Sequence, residues 1–167
     1  MRLAVISDSH VARGQVTDLV AELRPLLEGA DAILHAGDIT SLELLDELGA
    51  IAPVHAVAGN MDSETTLSTL GERRVLELGG HRVGLIHGWG APGDLAPRVV
   101  ERFRGPSGRL EVEVIVFGHS HQPLVERTGE VLLVNPGSPT DRRWAPYRSF
   151  AWLELGATID ARLVRLP

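Results

Sequence analysis

Leu3-Ala4-Val5-Ile6-Ser7-Asp8-Ser9-His10 begins with four apolar residues and then, within four more, supplies an aspartate and a histidine. A short apolar run that turns polar at once reads as a strand buried on both faces, its carboxyl end delivering side chains to a site. The same design recurs along the chain. Ala32-Ile33-Leu34 leads to Asp38, residues 54–58 lead to Asn60, residues 83–86 lead to His87, and residues 112–117 lead to His119 and His121. In open α/β sheets the ligand crevice lies beyond the carboxyl ends of the strands. Seven metal-competent side chains are thereby aimed at one edge.

Between these strands the period changes. Over residues 15–28, Val16, Leu19, Val20, Leu23 and Leu27 fall on one helical face, with Gly29 as a stop. Residues 42–48 read as a second helix, with Ser41 as N-cap and Gly49 beyond its end. Strand, helix, strand, helix, strand with short connections predicts parallel neighbours and right-handed crossovers. Residues 60–70 are rich in Thr and Ser and read as a loop with room for a short helical turn. Residues 75–78 and 83–86 flank Gly79-Gly80 as a hairpin, and residues 97–104 read as a helix. Residues 124–126, 131–134, 150–155 and 158–163 read as further strands. The expected fold is α/β: two packed mixed β-sheets flanked by helices, in one domain over residues 1–167.

Composition narrows the chemistry. A chain of 167 residues is about one domain and buries roughly 70% of its extended surface on folding. It has no cysteine, and all 16 basic residues are arginine, which removes thiol nucleophiles, thiolate metal sites, Schiff-base chemistry and lysine-based phosphate loops. A formal net charge of −6 argues against duplex nucleic acid as the main partner. No apolar run approaches the ~20 residues of a membrane span, so no membrane partner and a cytoplasmic location are expected.

The spacing within two motifs has a physical reading. In Asp8-Ser9-His10 and His119-Ser120-His121 the outer residues are two apart, which an extended backbone turns to the same side while serine points away. Gly37, Gly59, Gly88 and Gly118 stand beside Asp38, Asn60, His87 and His119, as close backbone approach in a crowded site requires.

With these pieces in order, the sequence resembles the calcineurin-like metallophosphoesterases, in particular their small single-domain bacterial and archaeal members. The match runs through Asp8-Ser9-His10, Gly37-Asp38, Gly59-Asn60, His87-Gly88 and Gly118-His119-Ser120-His121, and extends to Asn135-Pro136-Gly137-Ser138. The resemblance implies a two-metal centre, with Asp8, His10 and His121 on one ion, Asn60, His87 and His119 on the other, and Asp38 bridging. Imidazole and carboxylate donors without sulfur suit Mn, Fe, Zn, Co or Ni, and Mn is the expected ion. The implied activity is that of a phosphodiesterase on a small phosphate ester, with a metal-bridging hydroxide as nucleophile. Many members carry histidine after the Gly-Asn pair to protonate the leaving group. Here the run is Gly59-Asn60-Met61-Asp62, and Met61 has no proton to give. Asp62 or a metal-bound water is the substitute, and esters with good leaving groups suffer least.

Plainer readings stand beside these. His35, His55 and His81 read as hydrogen-bonded structural residues, and Asp62 first as a hydrogen-bonding neighbour of the ligands. Asn135-Pro136-Gly137-Ser138 reads as a tight turn, with support of a metal ligand as the alternative. The basic and aromatic run over residues 142–148 reads as a solvated loop, with a nucleotide grip as the alternative. The main alternative function is a non-catalytic, metal-binding protein-interaction module, since the same fold serves that way in eukaryotic retromer. A serine hydrolase ranks last, because no Gly-x-Ser-x-Gly elbow exists. Small relatives often self-associate, so a homo-oligomer is also among the expectations.

Overall fold

Four consecutive apolar residues stay dry only in a strand covered on both faces, and β1 (Arg2–Ile6) occupies such a place, with Leu3, Ala4, Val5 and Ile6 wholly buried. The structure, a computed structural model, describes residues 1–91 and 93–167, Arg13 by its backbone alone. β2 (Ala32–His35) pairs parallel with β1, and β3 (Val54–Ala56) parallel with β2. On the other side β9 (Ser149–Leu155) pairs antiparallel with β1, and β10 (Ile159–Arg165) with β9, giving the order β10-β9-β1-β2-β3. Parallel neighbours need crossovers, which α1 (Val16–Leu27) and α2 (Glu43–Gly49) provide.

The second sheet has the order β4-β5-β6-β8-β7, built from β4 (Arg73–Leu78), β5 (His81–Ile86), β6 (Val114–Val116), β7 (Leu124–Thr128) and β8 (Val131–Asn135). Its parallel strands are β5, β6 and β8. Gly79 and Gly80, at φ 57° and 83°, make the two-residue turn from β4 to β5. α3 (Glu64–Leu70) precedes this sheet and α4 (Leu95–Glu101) links β5 to β6.

Alternation along the strands stacks these layers. Leu3, Val5 and Leu34 meet Val83, Leu85, Val114, Val116 and Val134 in the core between the sheets. Ala4, Ile6 and Ile33 turn the other way, onto Leu19, Leu23 and Leu27 of α1 and Leu44 and Leu48 of α2. Ile115 and Leu133 face Leu95 and Val99 of α4 together with Phe103. The α/β architecture of two packed mixed sheets flanked by helices is as the sequence predicts. Among the described residues, no helix is long and apolar enough to cross a membrane.

Several boundaries differ, for local reasons. β3 ends at Ala56 because the next amides leave the ladder, the Val57 N–H donating to His35 O at 3.1 Å and the Ala58 N–H to Gly71 O at 2.8 Å. Ser41 does not cap α2; Leu42 is already helical at φ −62°, and Gly49 is the last residue of the helix rather than the first beyond it. The expected loop over residues 60–70 holds a true helix, α3, whose N-cap Ser63 accepts the Thr66 N–H at 3.1 Å. α4 starts at Leu95, so that Pro97 lies in its first turn, where no helical partner for a proline N–H is missed.

Candidate metal centre

The parallel strands of both sheets point their carboxyl ends to one edge, and there the loops after β1, β2, β3, β5 and β6 meet. His121 Nε2 from the second sheet lies 3.3 Å from Asp8 Oδ1 of the first, and His87 Nε2 lies 3.3 Å from Asp38 Oδ2. His10 Nε2 is 3.0 Å from His121 Nε2 and 3.5 Å from Asp38 Oδ2. Asn60 Oδ1 is 3.2 Å from His87 Nε2 and 2.9 Å from His119 Nδ1. All seven predicted ligands are therefore brought together. Asp8, Asp38, His87 and His121 are buried.

The backbone at these positions is not the extended chain that the two-apart spacing suggests. Asp8, His10, Asp38, His119 and His121 have φ of 55°, 41°, 54°, 70° and 57°, so five of the eight non-glycine residues in the left-handed region, among the described residues, are predicted ligands. Each such residue is strained, and the strain is concentrated at this one edge. The pairs still share a site, but through left-handed turns, with Ser9 facing inward to His35 Nε2 at 2.6 Å.

Hydrogen bonds to backbone carbonyls set the histidine tautomers. His87 Nδ1–H donates to Ala36 O at 2.7 Å, His119 Nε2–H to Gly90 O at 2.7 Å, and His121 Nδ1–H to Asp141 O. In the neutral ring the second nitrogen then carries the lone pair, and it faces the centre. There it meets carboxylate oxygens, an amide oxygen or another imidazole nitrogen. Acceptors that face acceptors at such distances call for a positive charge among them. Asp8, His10 and His121 form one group able to hold a cation, and Asp8, Asp38 and His87 a second.

The proton affinities point the same way. Burial works against charge on Asp38, but hydrogen bonding and charge from His87, the Met61 N–H and His10 outweigh it and bring its pKa to about 2. Burial is likewise the largest influence on His87 and lowers its pKa, yet the Asp38 hydrogen bond, the charges of Asp8 and Asp38 and the Ala36 contact together raise it above the ordinary value. His10 is lowered, chiefly by burial.

Hydrogen bonds brace this centre, those of Asn135, Ser138 and Asp62 among the sequence expectations and that of Thr140 missed by them. The Ser138 hydroxyl donates to Asp8 O at 2.7 Å and that of Thr140 to Ser9 O at 2.7 Å. The Asn135 side-chain amide donates to Gly118 O at 3.0 Å and to Ser120 Oγ at 3.1 Å. The turn after β8 thus positions two ligand loops, the alternative that its sequence left open. Asp62 accepts the Thr40 N–H at 2.7 Å and the Gly59 N–H at 2.8 Å, one on each carboxylate oxygen. Outside the centre, His35 is fully buried, and His81 bonds Glu113 at 3.0 Å and Gly156 O at 2.9 Å.

The profile of the calcineurin-like phosphoesterase superfamily domain matches residues 1–158. The chain belongs to this superfamily. A probable metallophosphoesterase of Methanothermobacter thermautotrophicus is 35% identical over 166 residues, which is 99% of this chain and 92% of that protein. Two solved structures share the superfamily fold. Vps29 of Entamoeba histolytica complexed with Zn²⁺ aligns at TM-score 0.68 and 25% identity, over 99% of each chain. An archaeal phosphodiesterase aligns at TM-score 0.73 over 99% of this chain and 100% of that one, and at 20% identity the likeness shows the fold alone. Membership and the acceptor groups together make the cleft a divalent-metal site in a phosphoesterase, a hydrolase of phosphate esters.

Proposed function

We propose that residues 1–167 act as one unit, a dinuclear metal-dependent phosphodiesterase for a small phosphate ester. The observation that carries this reading is the face-to-face set of acceptors, whose lone pairs are turned inward by backbone carbonyls. Asp8, His10 and His121 would hold one ion and Asn60, His87 and His119 the other. Asp38 would be the residue shared by the two, because its Oδ2 lies 3.5 Å from His10 and 3.3 Å from His87, while Oδ1 accepts the Met61 N–H. Asp8 also reaches both groups, but its carboxylate already accepts the His119 N–H at 3.0 Å. Mixed nitrogen and oxygen donors favour Mn, with Fe, Zn, Co and Ni as the other fitting ions.

When bound, two divalent ions supply Lewis acidity, acidifying water and neutralising phosphoryl charge. The protein's own residues supply the frame. The left-handed turns at Asp8, His10, Asp38, His119 and His121 hold the donors apart from solvent-relaxed positions, and Asp62 ties the loop of Asn60 to that of Asp38. With both oxygens so engaged, Asp62 serves the chemistry mainly by position. Met61 is 58% exposed at the place of a leaving-group acid, so esters that leave without protonation are the expected substrates, aryl diesters foremost. The archaeal phosphodiesterase is an example of diester hydrolysis on this fold. Vps29, which binds Zn²⁺ on the same fold, leaves open the second reading, a metal-binding interaction module without turnover.

The test is to strip the protein of metal and assay an aryl phosphodiester and the matching monoester with and without Mn²⁺. Metal-restored turnover, faster on the diester, is expected. Two bound ions per chain without hydrolysis of either ester would reject catalysis in favour of the interaction module.

A further inference from the structure

Past Asn60 and His87 the cleft continues into a cavity of about 400 Å³, whose other walls include Leu67, Ile86, Trp89 and Arg102. That volume suits a small-molecule group. Ile86 is buried, but Leu67 and Trp89 are 39% and 41% exposed, so apolar surface is left uncovered directly beside a charged centre. The Arg102 guanidinium lies over the Trp89 ring, 5.5 Å from its centroid, close enough for a cation–π attraction that orients the indole. Trp89 is also tied to the centre through the chain. It lies between His87, which faces Asp38, and Gly90, whose carbonyl sets the tautomer of His119.

A phosphoryl group seated among the ligands would extend one ester arm past Asn60 and His87 into this cavity. An indole offers that arm a flat π-face, Leu67 and Ile86 offer apolar walls, and Arg102 puts a cation beside the indole among walls that also carry Asp62 and Glu72. Resting on the phosphodiesterase reading above, we propose that the cavity is a subsite for a flat aromatic group carried by the ester, an aryl ring or a nucleobase, and that Trp89 and Arg102 determine that specificity. Stacking of such a ring on an aromatic side chain contributes about 1–3 kcal/mol, roughly 5- to 150-fold in affinity.

Phenylphosphonate and methylphosphonate carry the same anionic group and differ in the ring. Calorimetric titration of the Mn²⁺-loaded protein with each should show phenylphosphonate binding roughly tenfold more tightly. Trp89→Ala should reduce the preference to within about twofold, and Trp89→Phe, which keeps a π-face, should retain most of it. Equal binding of the two phosphonates by the unaltered protein, or a parallel loss of both in Trp89→Ala, overturns the subsite while leaving the phosphodiesterase reading in place. If neither phosphonate binds the metal-loaded protein, the subsite is overturned, and turnover of the aryl diester separately decides the phosphodiesterase reading.

Discussion

At position 118 an added Cβ would lie 1.8 Å from Ser7 Oγ and 2.6 Å from Asp8 Oδ2, so only glycine lets β6 of one sheet pass its loop across the end of β1 in the other. Overpacking of this kind costs about 1–3 kcal/mol. Because one of the atoms struck is an oxygen of Asp8, a predicted ligand, the damage should reach metal binding as well as the fold. Gly118→Ala is expected to lower stability by about 2 kcal/mol and to leave the purified chain with less bound Mn²⁺; full metal content at an unchanged melting temperature would contradict the packing. That Asp8, His10, Asp38, Asn60, His87, His119 and His121 converge on one edge was readable from their place after apolar runs. Their backbone was not, because left-handed φ at a non-glycine residue is imposed by partners distant in sequence, such as the Asp8 N–H donating to Gly37 O at 2.9 Å. The carbonyls of Ala36, Gly90 and Asp141 that orient the imidazoles leave no mark in residue type at all.

Elements were legible where burial writes a pattern. β1, β2 and β6 are covered on both faces and so appear as unbroken apolar runs, and the apolar stripe of α1 matches the face that packs on Ala4, Ile6 and Ile33. α3 was legible only as a short turn within a loop because it buries only Thr66 and is otherwise Thr- and Ser-rich, leaving no stripe to read. Its stability must come from its start, where the Ser63 hydroxyl accepts the Thr66 N–H and also bonds the Thr66 hydroxyl at 3.0 Å. Ser63→Ala should therefore cost about 1 kcal/mol in urea unfolding, the usual loss for such a cap. Since Leu67 of α3 lines the cavity beside Asn60, the same change should weaken binding of an aryl phosphonate more than that of methylphosphonate. A stability change below about 0.3 kcal/mol would mean that α3 is held by its neighbours instead.

At the scale of the whole molecule, the sheets are joined beneath the centre by a polar buried layer, and His35 is its most acid-sensitive member. His35 sits at the end of β2 with no exposed surface. The Gly37 N–H donates to its Nδ1 at 3.3 Å, so the ring proton is on Nε2, shared with Ser9 Oγ at 2.6 Å. A second proton would have to enter at Nδ1, against that N–H. Burial accordingly lowers its pKa from 6.5 to about 4, although the charge of Asp8 pulls the other way. Between those two values the unfolded chain binds a proton at this ring that the folded chain refuses, so the stability present above pH 6.5 is lost as pH falls toward 4. The linked loss is about 3 kcal/mol. Asp38 adds a further loss at lower pH, below its ordinary 3.8 and toward about 2, while the raised His87 acts oppositely, its contribution being lost as pH rises above 6.5. Replacing His35 by glutamine, which has amide donors and an acceptor but no titration, separates these effects. In chelated, metal-free protein, the fall in urea-unfolding free energy from pH 7.5 to pH 4.5 should be larger in the unaltered chain than in His35→Gln by about 2–3 kcal/mol. Parallel curves for the two proteins would show that the acid sensitivity lies elsewhere in the layer.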